Sequence, residues 1–160
     1  MRTALPSAFF SLLINVFVAQ AMVVQGPSML PNLTCHQRVI VEKITYNLIH
    51  SPRRGDVVII YRPAEKELLV KRVVALPEEM VAVQDGQVFI NDQLLNEPWA
   101  THKGGMDYPP TQVPPMHVFV LGDNREASRD SRFFGPVPMG QVGGRVRFVI
   151  WPLDRIGRIH

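Results

Sequence analysis

Apolar positions fall into two patterns along the chain: one unbroken run near the start, then a series of short runs separated by polar residues, glycine and proline. Residues 3–35 carry no charged side chain, and residues 4–24 are apolar enough, Asn15 and Gln20 aside, to be read as a membrane-spanning helix. About 20 apolar residues cross the hydrocarbon core of a bilayer. The rival reading is a cleavable secretory segment, because residues 9–18 have the length of an h-region and Ala19-Gln20-Ala21 has the small-x-small form of a cleavage site. Cleavage there leaves Ser28 beside a new N-terminus, so an uncut anchor over residues 1–22 is the expectation. Arg2 and the amino terminus are the positive charges ahead of the run, which favours an N-inside orientation with the rest of the chain across the membrane.

The short runs, at residues 38–42, 57–61, 68–76, 80–83, 87–90, 118–121 and 142–150, are rich in valine and isoleucine. Their length and β-branched content predict strands. Asp85-Gly86 lies between two of them and signals a hairpin, since glycine tolerates the positive φ such turns need. Residues 91–115 hold five prolines and two glycines and are read as a long loop, functional or mobile. A helical turn or two is suggested at residues 44–50. The expected fold class is mainly β, one domain over residues 23–160.

Composition changes this picture little. Apolar residues make up 46% of the chain, ordinary for a folded domain. The net charge of +3 suits anionic lipid headgroups or nucleic acid. The basic residues are dispersed, with no recognition helix or stacking aromatics beside them, so no nucleic-acid partner is expected. A single cysteine, Cys35, rules out an intramolecular disulfide and an all-cysteine metal site. The histidines His36, His50, His102, His117 and His160 are scattered without a paired zinc-ligand spacing. No metal and no cofactor are expected.

The candidate chemistry begins at Ser28, in Gln25-Gly26-Pro27-Ser28-Met29-Leu30-Pro31, where the apolar run gives way to a polar chain. A serine hydroxyl needs a base to become a nucleophile. No histidine lies in a stretch suggesting a Ser-His-Asp arrangement, and Lys71 in Leu68-Leu69-Val70-Lys71-Arg72-Val73-Val74 fits better. A lysine serves as a base near neutral pH only if its pKa falls from ~10.4 to roughly 7–8, and burial among aliphatic groups supplies that shift. The ordinary alternative is a lysine that snorkels from a sheet edge.

Together, Gly26-Pro27-Ser28-Met29-Leu30-Pro31, Arg54-Gly55-Asp56-Val57-Val58, Val70-Lys71-Arg72-Val73-Val74 and the segment Gly122-Asp123-Asn124-Arg125-Glu126-Ala127-Ser128-Arg129-Asp130-Ser131-Arg132 resemble the ordered boxes of type I signal peptidases, the peptidase S26 family in a compact form. The resemblance runs from about residue 20 to the C-terminus. It implies a signal-peptidase-like antiparallel β-sheet catalytic domain, with a small β insertion at about residues 79–118, behind one N-terminal transmembrane helix. It further implies a membrane-bound serine endopeptidase acting through a Ser28–Lys71 dyad and an acyl-enzyme, with preprotein signal peptides and membrane lipid as partners and the protein a monomer. The catalytic domain is expected on the extracytoplasmic side of a bacterial plasma membrane, with a thylakoid or organelle inner membrane as the alternative.

By the same resemblance Ser128 hydrogen-bonds the lysine, and Asp130 pairs with Arg132 as a strut; ordinary loop hydrogen bonding is the plainer reading of Ser128. Gly122-Asp123-Asn124 reads as a structural turn. The pocket walls selecting small residues at −1 and −3 correspond to Met22, Val24, Met29, Leu33, Ile59, Leu69 and Val70, for each of which plain core packing is nearly as good an account. Some family members carry a hydroxyl residue two places before the nucleophile. This chain has Gly26 there, so Ser28 N–H is the one evident oxyanion donor. Two further functions stay open: a specialised processing peptidase of organelle or pilus and conjugation type, and a catalytically silent membrane-tethered β-domain that binds peptides.

Overall fold

In the computed structural model, residues 19–46, 50–100 and 104–159 are described. The strands are β1 (Ala19–Val23), β2 (Arg38–Glu42), β3 (Val57–Arg62), β4 (Glu67–Ala75), β5 (Met80–Gln84), β6 (Gln87–Ile90), β7 (Gln93–Leu94), β8 (Tyr108–Gln112), β9 (His117–Leu121), β10 (Val137–Pro138), β11 (Val142–Trp151) and β12 (Gly157–Arg158). One short helix, α1 (Ser131–Phe134), follows β9. Among the described residues all the strand pairings are antiparallel.

Strand alternation divides the side chains between packing layers. In β3, Val57 and Ile59 join one buried cluster with Val24, Met29, Leu33, Val39, Val41, Val146 and Val149. The intervening Val58 and Ile60 join another, with Val73, Val118, Val120 and Val137. The large sheet runs β1-β2-β11-β3-β4-β9-β10, with β12 paired to β11. A second sheet, ordered β7-β6-β5-β8, is built from residues 80–112. Val81, Val83, Val88 and Ile90 of this small sheet pack against Val74, Ala75, Phe119 and Leu121 of the large one.

Two expectations change. Residues 19–23, read as the end of an apolar helix, form β1, registered on β2 from Ala19↔Glu42 to Val23↔Arg38. Pairing with β2 satisfies this backbone along one edge, which a short apolar run does as readily as an isolated helix. The rest of the predicted span, residues 1–18, lies outside the described residues, and no helix among the described residues is long and apolar enough to cross a membrane. The suggested helical turn at 44–50 also lies partly outside them.

The second change is in the proline-rich stretch, which holds β7 and β8 where the residue pattern alone suggested a loop, although the family resemblance implied a small β insertion over about residues 79–118. Pro109 and Pro110 lie within β8, at the edge of the small sheet. An edge strand tolerates prolines because its outward N–H groups need no ladder partner, and the β5–β8 register shifts between Val81 and Val83 opposite them. The Asp85-Gly86 hairpin is formed, with φ of 49° and 71°, as a two-residue turn with both central residues left-handed requires.

Candidate active site

After β1 the chain is held to the loop before β2 by Val24 N–H to Gln37 O at 2.8 Å and His36 N–H to Val24 O at 2.9 Å. Gly26 turns the chain with φ of 81°, a value that glycine reaches without a Cβ penalty. Leu30 N–H then closes a turn onto Pro27 O at 3.1 Å. Met29 and Leu33, just past the serine, are buried in the core. They fasten this turn from below and leave Ser28 half-buried at its crest.

Lys71 reaches Ser28 from β4. Its Nζ lies 2.8 Å from Ser28 Oγ, and it donates to the Val70 carbonyl at 3.0 Å. Lys71 is only 2% exposed, and burial pushes its amine down to about 8, against the opposing pull of the Asp130 and Asp123 carboxylates. Desolvation favours the neutral form, and the two carboxylates keep the shift from going further. The pair can move a proton: a neutral amine at this distance accepts one from the hydroxyl.

Three buried guanidinium–carboxylate pairs surround the dyad. Arg132 grips Asp130 through Nε to Oδ1 and Nη2 to Oδ2, each at 2.9 Å, while Asp130 Oδ2 accepts Gly122 N–H at 3.0 Å. Arg72, the neighbour of Lys71, grips Asp123 in the same two-pronged way at 2.8 and 2.7 Å and lies over the Trp99 ring. Arg125 pairs with Glu97 and donates Nε–H to Gly122 O at 2.9 Å. Charges this far from water require such partners, and the planar fork of arginine fits a carboxylate at two points.

Gly122 lies where these elements converge. A Cβ there would clash with Ser128 Oγ and meet the Ser28 carbonyl oxygen at 2.5 Å, so only glycine lets the turn approach Ser28 this closely. Ser128 is buried beside it, but its hydroxyl makes no hydrogen bond. The expected bond from Ser128 to Lys71 is therefore not formed in this structure, where the amine is engaged by Ser28 Oγ and Val70 O instead.

A cleft of about 690 Å³ opens beside the pair, lined on one side by Met22, Val24 and Gly26 and on the other by Leu69, Val70 and Lys71, with Ile59 among its other walls. Five of the seven expected pocket residues line it: Met22, Val24, Ile59, Leu69 and Val70. Met29 and Leu33 do not; at 1% and 0% exposure they belong to the core beneath, since the turn around Ser28 points them inward. Among the described residues, both strands offer unpaired edges beside the cleft. β1 ends the large sheet, and β4 pairs with β9 only from Arg72 onward, leaving 67–71 bonded to β3 alone.

Sequence reasoning missed Arg72, Asp123, Arg125, Glu97 and Asn124. A signal existed for the first: an arginine in an apolar strand needs a buried carboxylate, and the Gly122-Asp123 turn is a natural source. Among the described residues no cluster suited to a metal ion is found. His50 and His117 are bonded to the Ser51 and Pro115 carbonyls, while His102 and His160 lie outside the described residues.

The family model described as signal peptidase, peptidase S26, matches residues 1–151. A signal peptidase I of Leptolyngbya laminosa is 39% identical over 96% of this chain and 79% of its own length. The thylakoidal processing peptidase 1 of Arabidopsis thaliana is 31% identical over 97% of this chain and 48% of its own. The crystal structure of a signal peptidase I from Enterococcus faecalis superposes with a TM-score of 0.54 at 31% identity, covering 61% of this chain and 97% of that one.

Proposed function

The chain belongs to the signal peptidase family, peptidase S26, and is a serine endopeptidase that removes signal peptides; from that premise we propose that Ser28 is its nucleophile and Lys71 its general base. The observation that carries this reading is the 2.8 Å hydrogen bond between Ser28 Oγ and a buried amine lowered to about 8. Neutral Lys71 takes the hydroxyl proton as Ser28 Oγ bonds to the scissile carbonyl carbon, and negative charge collects on the carbonyl oxygen. The C–N bond then breaks, Lys71 returns the proton to the leaving amine, and an acyl-enzyme remains. Water enters, Lys71 removes its proton, and the ester is hydrolysed to free Ser28.

An extended preprotein segment fits between the free edges of β1 and β4, where its peptide groups add to both strands. Met22, Val24, Ile59, Leu69 and Val70 then bound sockets that admit small side chains at −1 and −3. Asp130 and Arg132 hold the loop carrying Ser128 against the base. Residues ahead of β1 serve as the membrane anchor, and the catalytic domain, expected from residue 23, begins with β1 at Ala19, acting as a monomer. Its setting is a bacterial plasma membrane, or a thylakoid membrane as for the Arabidopsis relative, with the catalytic domain on the trans side.

The test is cleavage of an Ala-x-Ala preprotein by detergent-solubilised protein. Ser28→Ala, Lys71→Ala and Lys71→Arg are each expected to lose turnover by roughly 10³-fold or more, since a guanidinium stays charged and cannot act as the base. Wild-type kcat/KM is expected to rise about tenfold per pH unit below pH ~8 and to level above it. Turnover by Lys71→Arg near the wild-type rate removes lysine as the base.

A further inference from the structure

Asp123 and Asn124 are consecutive, yet they hold opposite halves of the dyad. Asp123 takes the guanidinium of Arg72, the residue after the base. Asn124 takes the nucleophile: its backbone N–H donates to Ser28 O at 3.0 Å, and its side-chain Nδ2 donates to Pro27 O at 3.3 Å. Asn32 closes the frame from beyond the serine, donating Nδ2–H to Asp123 Oδ2 at 2.8 Å and to Trp99 O at 2.8 Å.

The two carbonyls on Asn124 belong to the peptide groups on either side of the nucleophile. Pro27 O shares a planar trans unit with Ser28 N–H, and in such a unit the two bonds point in opposite directions. Fixing the carbonyl from one side therefore fixes where the N–H points on the other. Pro27 O already accepts Leu30 N–H at 3.1 Å, so the Asn124 side chain is its second donor. Two donors polarise the amide and strengthen the donor at its far end. Gly26 has no side chain to help at the oxyanion, which leaves much of that work to the Ser28 N–H.

We propose that Asn124 is a positioning residue for the oxyanion site: its side chain orients the Pro27–Ser28 peptide so that Ser28 N–H meets the charge developing on the scissile carbonyl oxygen, while Asp123 beside it registers the base. The inference rests on the dyad reading above. Asn124 touches neither substrate nor Lys71 Nζ in this scheme. Its effect belongs to the transition state and is absent from ground-state binding.

The experiment compares wild type, Asn124→Ala and the near-isosteric Asn124→Leu, whose side chain cannot donate to Pro27 O and adds no charge beside Lys71. Both variants keep the backbone bond to Ser28 O, and circular dichroism and the thermal midpoint establish that they fold. Each is expected to lower kcat by about 10- to 100-fold, in the range that a displaced oxyanion donor produces, with KM within about twofold and an unchanged pH midpoint. Affinity for a peptide aldehyde, whose Ser28 adduct carries the oxyanion oxygen, is expected to fall by the same factor as kcat. An unaltered kcat, a KM effect alone, a shifted pH midpoint, or an aldehyde affinity that stays at the wild-type value overturns the proposal. Ser28→Ala and Lys71→Arg in the same assay separate it from its premise: if they retain turnover, the dyad reading has failed, whatever Asn124 does.

Discussion

At the scale of the residue, the proposed role of Lys71 as base sets two requirements against each other. The burial that would make it a usable base also burdens the fold, because below its folded pKa the protein must hold a cation where water is scarce. The unfolded chain binds that proton with the usual lysine affinity near 10.4, the folded chain with a value near 8. The penalty is therefore full below pH ~8, shrinks as pH rises above it, and is gone above pH ~10.5. Lys71→Met is expected to be more stable than wild type at pH 7 by roughly 3 kcal/mol, at most, as read by urea denaturation. That advantage is expected to vanish by about pH 11. The burial of Lys71 beside Ser28 was expected through the resemblance of the box Val70-Lys71-Arg72-Val73-Val74, since apolar neighbours alone favoured a lysine that snorkels. Its actual contacts were not legible, because a linear pattern carries no information on which carbonyl an amine will reach.

At the scale of the element, the segment from β9 to α1 supplies one or both partners of every buried ion pair around the site. Asp130 is also the N-cap of α1, accepting Arg132 N–H while that residue's guanidinium returns to both of its oxygens. Removing one partner strands the other charge in the interior. Asp130→Ala and Arg132→Ala are each expected to destabilise by about 3–5 kcal/mol, whereas the double change Asp130→Leu with Arg132→Met should lie nearer wild type. Denaturant midpoints of the four proteins check this.

Most strands were readable because β-branched runs of five or so residues have few other uses; β2 and β6 fall on the predicted bounds. β7 and β8 were hidden for a physical reason. Two-residue pairings carry no periodicity, and prolines read as loop everywhere except on an edge, which is a property of position in the sheet that local sequence does not encode.

At the scale of the whole molecule, the two sheets meet at the active site by more than apolar packing. Glu97 and Trp99, between β7 and β8, engage Arg125 and Arg72, so the small sheet is tied to the turn that holds the dyad. The opposite wall comes from β1, which couples the start of the described chain to the cleft beside Ser28. A chain beginning at Ala19 is expected to keep this wall and to cleave a soluble Ala-x-Ala peptide. One beginning at Val24 is expected to fold around the same core and lose at least about tenfold in kcat/KM, since it lacks half of the positioning surface. Peptide assays on the two purified proteins decide it.

A groove framed by main-chain edges asks little of the letters that pass through it. Amide groups recur at the same spacing in any extended polypeptide, so in the proposed binding mode most of the grip is blind to vocabulary, and discrimination falls to two small sockets that veto bulk. One enzyme so built can serve a large and unrelated clientele of exported chains while still placing each cut at a single bond.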